Sequence, residues 1–183
     1  MKTKKQIIIT VSGLHGVGKS VYAKEIAKRY SLKYISSGMI FRQYAKKLGL
    51  SISQLTDLAN RDFSIDKYID DLVVKEASKG NVVADGLLTG WMLRDKANIK
   101  FWFKAKDLIR YKRIADRDGI PIDVAIKETK HREKIERIRF KKYYGIDITD
   151  LSIYDYVIDT SYLSIDDVLS ILFKIIDCYL ITA

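Results

Sequence analysis

The fold is decided by a short stretch near the start of the chain, which reads Gly13-Leu14-His15-Gly16-Val17-Gly18-Lys19-Ser20. The stretch fits a pattern of glycine, four variable residues and Gly-Lys-Ser/Thr. A β-branched run precedes it at residues 6–12, and a helical pattern follows at 19–30. Glycines in such a loop let successive backbone N–H groups turn toward a phosphate, and the helix start adds its positive end. We therefore predict that all eight residues bind the phosphates of ATP.

Three side chains in and near this loop have expected roles in phosphate chemistry. Lys19 is expected to reach the β- and γ-phosphates, and the Ser20 hydroxyl to bind Mg²⁺. Asp85 ends a later predicted strand, where it is expected to lie in the metal shell through water or to orient the acceptor; an acid that merely closes a strand is the alternative. His15 is unusual at its variable position, and exposure to solvent is favoured there over contact with the phosphates.

Strand and helix patterns alternate along the rest of the chain. This order predicts an α/β fold of the P-loop NTPase type, with three layers and a five-stranded parallel sheet flanked by helices. At the carboxyl ends of the strands, residues 13–20, 36–38 and 85–86 are expected to converge. The predicted strands are 6–12, 34–36, 81–85, 99–103 and 156–158, and the predicted helices are 19–30, 41–48, 53–60, 65–78, 107–116, 123–143 and 165–179.

A second anion site is predicted after the second strand. Ser37 and Gly38 open a helix and offer backbone donors, and Arg42 follows one turn later with a guanidinium suited to a monophosphate. An ordinary capped helix with a surface arginine is the alternative. Gly86, directly after Asp85, would allow a close approach of the backbone to the acceptor.

The positive charge of the chain is concentrated in one segment. Residues 100–145 hold 15 Lys and Arg against 7 Asp and Glu, a net charge of +8 out of +10. Arg132, Glu136 and Arg139 share one helix face, and Arg113 and Arg117 share a face of the helix before it. Two such helices are expected to close as a lid around the transferred phosphoryl group. Solvated helices joined by salt bridges, or a surface for nucleic acid, are the alternatives.

Length and cysteine content predict one domain over residues 1–183, without disulfides. The chain has 183 residues and one cysteine, Cys178. Its apolar runs are too short for a signal peptide or a membrane span. We expect a cytoplasmic, monomeric protein with no membrane partner.

The sequence resembles the archaeal type of cytidylate kinase, within the nucleoside monophosphate kinases, over nearly its whole length. Beyond the phosphate loop, the resemblance depends on residues 36–42 (SSGMIFR), 85–92 (DGLLTGWM), 131–133 (HRE), 143–148 (YYGIDI) and 154–161 (YDYVIDTS). The Gly-Trp-Met and Tyr-Tyr-Gly-Ile-Asp stretches are its most specific parts.

The resemblance implies transfer of the γ-phosphoryl group of ATP to CMP or dCMP with Mg²⁺. It also implies a monophosphate-binding insert at about 38–79 and a lid at about 117–149. Arg42 would bind the acceptor phosphate, Arg132 and Arg139 would be lid cations, and Glu136 would contact the acceptor nucleoside. The predicted catalytic set is Lys19, Asp85, Arg113, Arg117 and Arg132, and the predicted acceptor set is Ser37, Gly38, Arg42, Asp85, Gly86, Gly90, Trp91, Glu136 and Arg139.

One position departs from the family pattern. The family usually reads acidic-Gly-Arg where this chain reads Asp85-Gly86-Leu87. Leucine neither carries charge nor donates a hydrogen bond. A kinase for a different acceptor therefore stays open, as does a nucleotide-dependent protein that binds RNA or ribosomes through segment 100–145. Nucleic acid is otherwise not expected as a partner.

Overall fold

The computed structural model describes residues 6–182, and its elements follow the predicted alternation. Three helices lie between β2 and β3, and two lie between β4 and β5. In chain order the elements are β1 Ile8–Gly13, α1 Lys19–Arg29, β2 Lys33–Ser36, α2 Ser37–Lys47, α3 Ile52–Arg61, α4 Phe63–Ala77, β3 Val82–Asp85, α5 Thr89–Met92, β4 Ile99–Lys104, α6 Asp107–Asp118, α7 Ile122–Tyr144, β5 Tyr156–Asp159 and α8 Ile165–Thr182.

The strands form one parallel sheet in the order β2-β3-β1-β4-β5. Strand β1 lies at the centre, paired with β3 on one side and with β4 on the other. Its consecutive residues Ile9, Thr10, Val11 and Ser12 are all fully buried, as expected for a strand covered on both faces. The strand order reverses at β1, so the loop that follows it opens at the switch point of the sheet. The predicted α/β P-loop fold with five parallel strands is confirmed.

Helices cover both faces of the sheet. On one face, α1 and α8 pack through Ile26, Leu172 and Ile176 against β1 and β4. On the other face, Val73 and Ala77 of α4 pack with Val82 and Ala84 of β3. Between residues 6 and 182 no helix is both long and apolar enough to cross a bilayer.

Two helices differ most from the sequence-based expectation. Helix α2 begins at Ser37, four residues before the predicted start, because Ser36 caps it by accepting a hydrogen bond from the Met39 backbone N–H at 3.3 Å. Helix α5, residues Thr89–Met92, was not predicted. A single turn is too short to show a hydrophobic period.

Helix α7 is joined to α3 and α4 by buried polar contacts. The Arg139 guanidinium pairs with Asp66 of α4 and donates to the Thr56 carbonyl oxygen of α3 at 3.1 Å. The Tyr144 hydroxyl donates to Asp70 at 2.6 Å. Burial raises the pKa of Asp66 to about 6, although Arg139 opposes the shift, and it raises the pKa of Asp70 to about 7. The attachment of α7 to these helices therefore depends on one buried ion pair and on a partly buried hydrogen bond.

We expect Arg139→Met to lower the free energy of unfolding at pH 7 by about 3–5 kcal/mol, because it leaves Asp66 buried without its cation. As the pH falls, protonation neutralises Asp66, and the folded variant no longer buries an unpaired charge. The loss of unfolding free energy caused by Arg139→Met should therefore be smaller at about pH 5 than at pH 7. Urea unfolding measures both values. Arg137→Met, at an exposed neighbour on α7, is the matched control and should change stability by less than about 0.5 kcal/mol. An equal loss in both variants would contradict the buried pair.

Candidate active site

The loop after β1 is shaped by backbone that approaches it from two sides. Gly13 and Gly16 have φ angles of 146° and 80°, in the region that favours glycine. A methyl group on Gly13 would collide with the carbonyl oxygen of Phe103 in β4, and one on Gly16 with that of Arg110 in α6. The glycines of the phosphate pattern therefore also let β4 and α6 pack directly on the loop.

The Lys19 ammonium lies within the curl of this loop. It donates to the carbonyl oxygens of Gly13 and Leu14, both at 2.7 Å. Burial lowers the pKa of Lys19 to about 8, although Asp85 and Glu136 oppose the shift. A group of anionic oxygens beside this ammonium would favour its charged form.

Ser20 and Asp85 meet at the edge of the loop. The Ser20 hydroxyl donates to Asp85 Oδ2 at 2.6 Å, and the Tyr34 hydroxyl of β2 donates to the same oxygen at 2.9 Å. Within residues 6–182 no three acidic, His or Cys side chains gather to form a metal site of their own. Mg²⁺ usually takes one or two protein oxygens and completes its shell with substrate phosphates and water. Ser20 and Asp85 fit that requirement.

The sequence analysis favoured a solvent-facing His15, but in the structure the side chain of His15 contacts helix α7. Its Nε2 lies 2.7 Å from Glu136 Oε2 of α7, and the other oxygen of Glu136 accepts from Arg132 Nε at 2.8 Å. The backbone N–H of His15 donates to Glu133 Oε1 at 3.3 Å, and Arg110 Nη1 donates to the carbonyl oxygen of His15 at 2.7 Å. The phosphate loop is thus bonded to α6 and α7 through this one residue.

Charge and burial fix the protonation of the His15–Glu136 pair. Burial alone would raise the pKa of Glu136, but His15 and Arg132 together hold it well below its usual range. Burial lowers the pKa of His15, and Arg132 adds to the shift against the opposing effect of Glu136. An ionised carboxylate only accepts hydrogen bonds, so the neutral imidazole carries its proton on Nε2.

The predicted acceptor residues 37, 38, 42 and 86 lie where β2 and β3 end. Ser37 Oγ donates to the carbonyl oxygen of Asp85 at 3.4 Å, and a methyl group on Gly86 would collide with that hydroxyl. Arg42 is exposed one turn into α2, and its guanidinium lies beside Gly38. The start of α2 therefore packs closely on the turn after Asp85, as the convergence of strand ends predicts.

The remaining predicted residues have other partners. Arg113 donates to the Thr160 hydroxyl and carbonyl oxygens at 3.1 and 2.9 Å, and Thr160 in turn donates to the Val17 carbonyl oxygen at 3.2 Å. Arg117 pairs with Asp118 near the surface. Arg139 is bound to Asp66 and Thr56, away from the loop's own hydrogen bonds. Two of the predicted arginines are joined to the phosphate loop through a side chain: Arg113 through Thr160, and Arg132 through Glu136.

Gly90 and Trp91 lie on the short helix α5. The Gly90 N–H donates to Ser12 Oγ of β1 at 3.1 Å, and a methyl group on Gly90 would collide with the Tyr154 ring. Trp91 Nε1 is buried without a hydrogen-bond partner. These contacts hold the segment after Asp85 against the end of the central strand.

Comparisons with known proteins agree with this geometry. The model of the cytidylate kinase-like family matches residues 8–162. This chain belongs to the cytidylate kinase-like family. It is 46% identical to the cytidylate kinase of Staphylothermus marinus over 174 residues, which cover 95% of this chain and 98% of that protein. The cytidylate kinase of Aeropyrum pernix is 46% identical over 157 residues, which cover 86% and 91%.

Solved structures agree on the fold. Shikimate kinase from Bacteroides thetaiotaomicron superposes with a TM-score of 0.61 at 12% identity, over 94% of this chain and 99% of that chain. The resemblance to the cytidylate kinase-like family inferred from the sequence is therefore confirmed, and the structural likeness agrees with the α/β fold.

Leu87 stands at the position where the resemblance to the family implied an arginine. Its side chain is 9% exposed and packs in an apolar cluster. A guanidinium at this position would have to enter that cluster, where an unpaired charge is costly. Arg94, the nearest arginine along the sequence, lies beside Asp95 at the surface. The cluster contains Leu87, Leu88, Trp102, Phe140, Ile148 and Tyr154.

Four residues of the site escaped the sequence analysis. Tyr34, Arg110, Glu133 and Thr160 act through tertiary contacts that no local pattern records. Only Tyr34 left a usable signal, since it precedes Ser36 by two residues and Ser36 pairs with Asp85 in the sheet. Side chains at alternate strand positions lie on one face, so Tyr34 is on the same face as Ser36, which is opposite Asp85.

We expect ATP binding to take up close to one proton per chain at about pH 9 and a small fraction of one at about pH 7. Lys19, with its pKa of about 8, is mostly neutral at the higher pH and must become charged beside the phosphates. Titration calorimetry in buffers of different ionisation heat measures the uptake. Lys19→Arg, which stays charged at both pH values, should bind ATP without this proton uptake. Equal uptake by the wild type at both pH values would contradict the lowered pKa.

Proposed function

We propose that this protein transfers the γ-phosphoryl group of ATP to CMP or dCMP, giving ADP and the cytidine diphosphate. One observation carries the proposal: the phosphate loop, Asp85 and helix α7 meet at the carboxyl edge of the sheet in a chain of the cytidylate kinase-like family. Relatives at 46% identity over most of both chains are named cytidylate kinase. Donor and acceptor would bind on the two sides of this edge.

On the donor side, residues 13–20 would hold the phosphates of ATP. Lys19 would stay near the β- and γ-phosphates, while Ser20 and Asp85 would hold Mg²⁺, Asp85 through water. Mg²⁺ supplies positive charge between the phosphates. The acceptor is itself a phosphate, so the chain needs positioning and charge stabilisation rather than a general base.

On the acceptor side, helices α2–α4 would form the insert, at about residues 38–79. The backbone around Ser37 and Gly38 and the exposed Arg42 would bind the monophosphate, close to Gly86. Gly90 and Trp91 would shape the wall of the site. The lid would span about 117–149, with Arg132 and Glu136 above the loop and Arg139 attaching the lid helix to the insert. Arg113 and Arg117 would contribute positive charge at its base.

A second candidate keeps the reaction but changes the acceptor. Leu87 favours it, because the apolar cluster around Leu87 leaves no cation where the family usually has one. In either case we propose a monomeric enzyme of the cytoplasm. The exposed thiol of Cys178 suits a reducing compartment.

We expect purified protein with ATP and Mg²⁺ to phosphorylate CMP and dCMP far faster than UMP, AMP or GMP, as measured by coupled ADP release. Lys19→Ala should reduce turnover at least about 100-fold, because it removes charge from the transferred group. Preference for another nucleotide would select the second candidate. No turnover on any of the five, with ATP still bound, would contradict the proposed function.

We expect Arg42→Ala to raise the KM for CMP by about 10- to 100-fold and to change the KM for ATP by less than about threefold. One charged hydrogen bond to the acceptor phosphate would be lost, which corresponds to that range. Initial rates with either substrate varied give both constants. Arg29→Ala is the matched control, since Arg29 lies near Asp177 of α8, and should leave both unchanged. Equal effects on CMP and ATP would place Arg42 outside the acceptor site.

A further inference from the structure

His15 links the phosphate loop to the far side of the site through a series of side-chain contacts. The imidazole contacts Glu136 at 2.7 Å, and Glu136 accepts from Arg132 at 2.8 Å. The Arg132 guanidinium lies over the Phe41 ring, 5.6 Å from its centre. Phe41 precedes Arg42 on α2. The series therefore runs from the loop that holds the donor to the helix that begins the acceptor side.

Glu136 needs both of its partners. It is 4% exposed, and a buried carboxylate with an unmatched oxygen is strongly penalised. His15 serves one oxygen and Arg132 the other. Removing the imidazole would leave Oε2 without this donor, and Glu136 would then turn toward Arg132 or toward water. The direction of the Arg132 guanidinium thus depends on the side chain at position 15.

The imidazole is separate from the contacts that hold the loop in place. Arg110, with a side chain 2% exposed, donates at 2.7 Å both to the His15 carbonyl oxygen and to Glu133 Oε1. The backbone N–H of His15 donates to Glu133 as well. These bonds use only the backbone of residue 15 and would survive a change of its side chain. The His15 side chain therefore has a role that the fold does not require.

We propose that His15 is a positioning residue, which orients Glu136 and through it Arg132, so that the lid helix is set by the same loop that holds ATP. The inference rests on the proposed function and deepens it, since it assigns the coupling between donor and acceptor to one side chain. His15 transfers no proton in this role; it donates one hydrogen bond to an ionised carboxylate.

A double-mutant cycle tests the proposal by kinetics. His15→Ala should lower kcat/KM for CMP by about 10-fold or more, while ATP binding in a direct titration changes by less than about threefold. His15→Gln, which retains an N–H donor, should recover most of the loss. His15→Ala combined with Glu136→Gln should be no worse than Glu136→Gln alone, because the two residues act as a unit. Additive losses, or a loss confined to ATP binding, would overturn the proposal.

A second readout does not depend on turnover and separates this inference from the proposed function. The chain has two histidines, His15 and His131, so nitrogen NMR with a His131→Gln variant isolates the His15 ring. We expect a neutral ring protonated on Nε2 between about pH 6.5 and 8, whose signals move in Glu136→Gln and again on addition of ATP and Mg²⁺. A ring that titrates as a free imidazole and ignores Glu136→Gln would overturn the coupling, whatever the acceptor proves to be.

Discussion

The curl of backbone after strand β1 is the constraint on which the rest of the structure depends. Strand β1 is the central strand and is buried on both faces. The loop that follows it is therefore exposed only at the carboxyl edge of the sheet. There the Phe103 and Arg110 carbonyl oxygens pack against Gly13 and Gly16, where a Cβ has no room. The same glycines that shape an anion site thus also let β4 and α6 close around it. The phosphate site and the packing of the core cannot be separated.

Several arginines of the basic segment 100–145 are bound to acidic side chains rather than free in solvent. Within the segment 100–145, Arg110 and Arg139 are fully buried and bound to acidic partners, and Arg132 binds Glu136. These arginines hold α6 and α7 to the loop and to the insert. The segment is therefore not only a basic lid, because Arg110 and Arg139 hold helices together. The exposed lysines of α7 are left for solvent.

The sequence was most informative where local physics decides the outcome. The β-branched run at 6–12 predicted the central strand, and the loop pattern predicted the position of the phosphate site, since both depend on neighbours along the chain. The start of α2 was placed too late because its signal, the Ser36 cap, is a single residue. The orientation of His15 was expected wrongly because its partner lies 121 residues away. Leu87 was recognised as unusual, but only the folded chain shows the apolar cluster that receives it.

The proposed transfer requires donor and acceptor to bind at one edge of the sheet, near enough for direct reaction. A compound that joins adenosine and cytidine through a pentaphosphate tests it, with binding measured by titration calorimetry. We expect one molecule to bind per chain, at least about 100-fold more tightly than ATP or CMP alone, because the second half binds at high effective concentration. The bound compound should exclude both nucleotides. Affinity no greater than that of ATP, with CMP still able to bind alongside, would contradict this requirement.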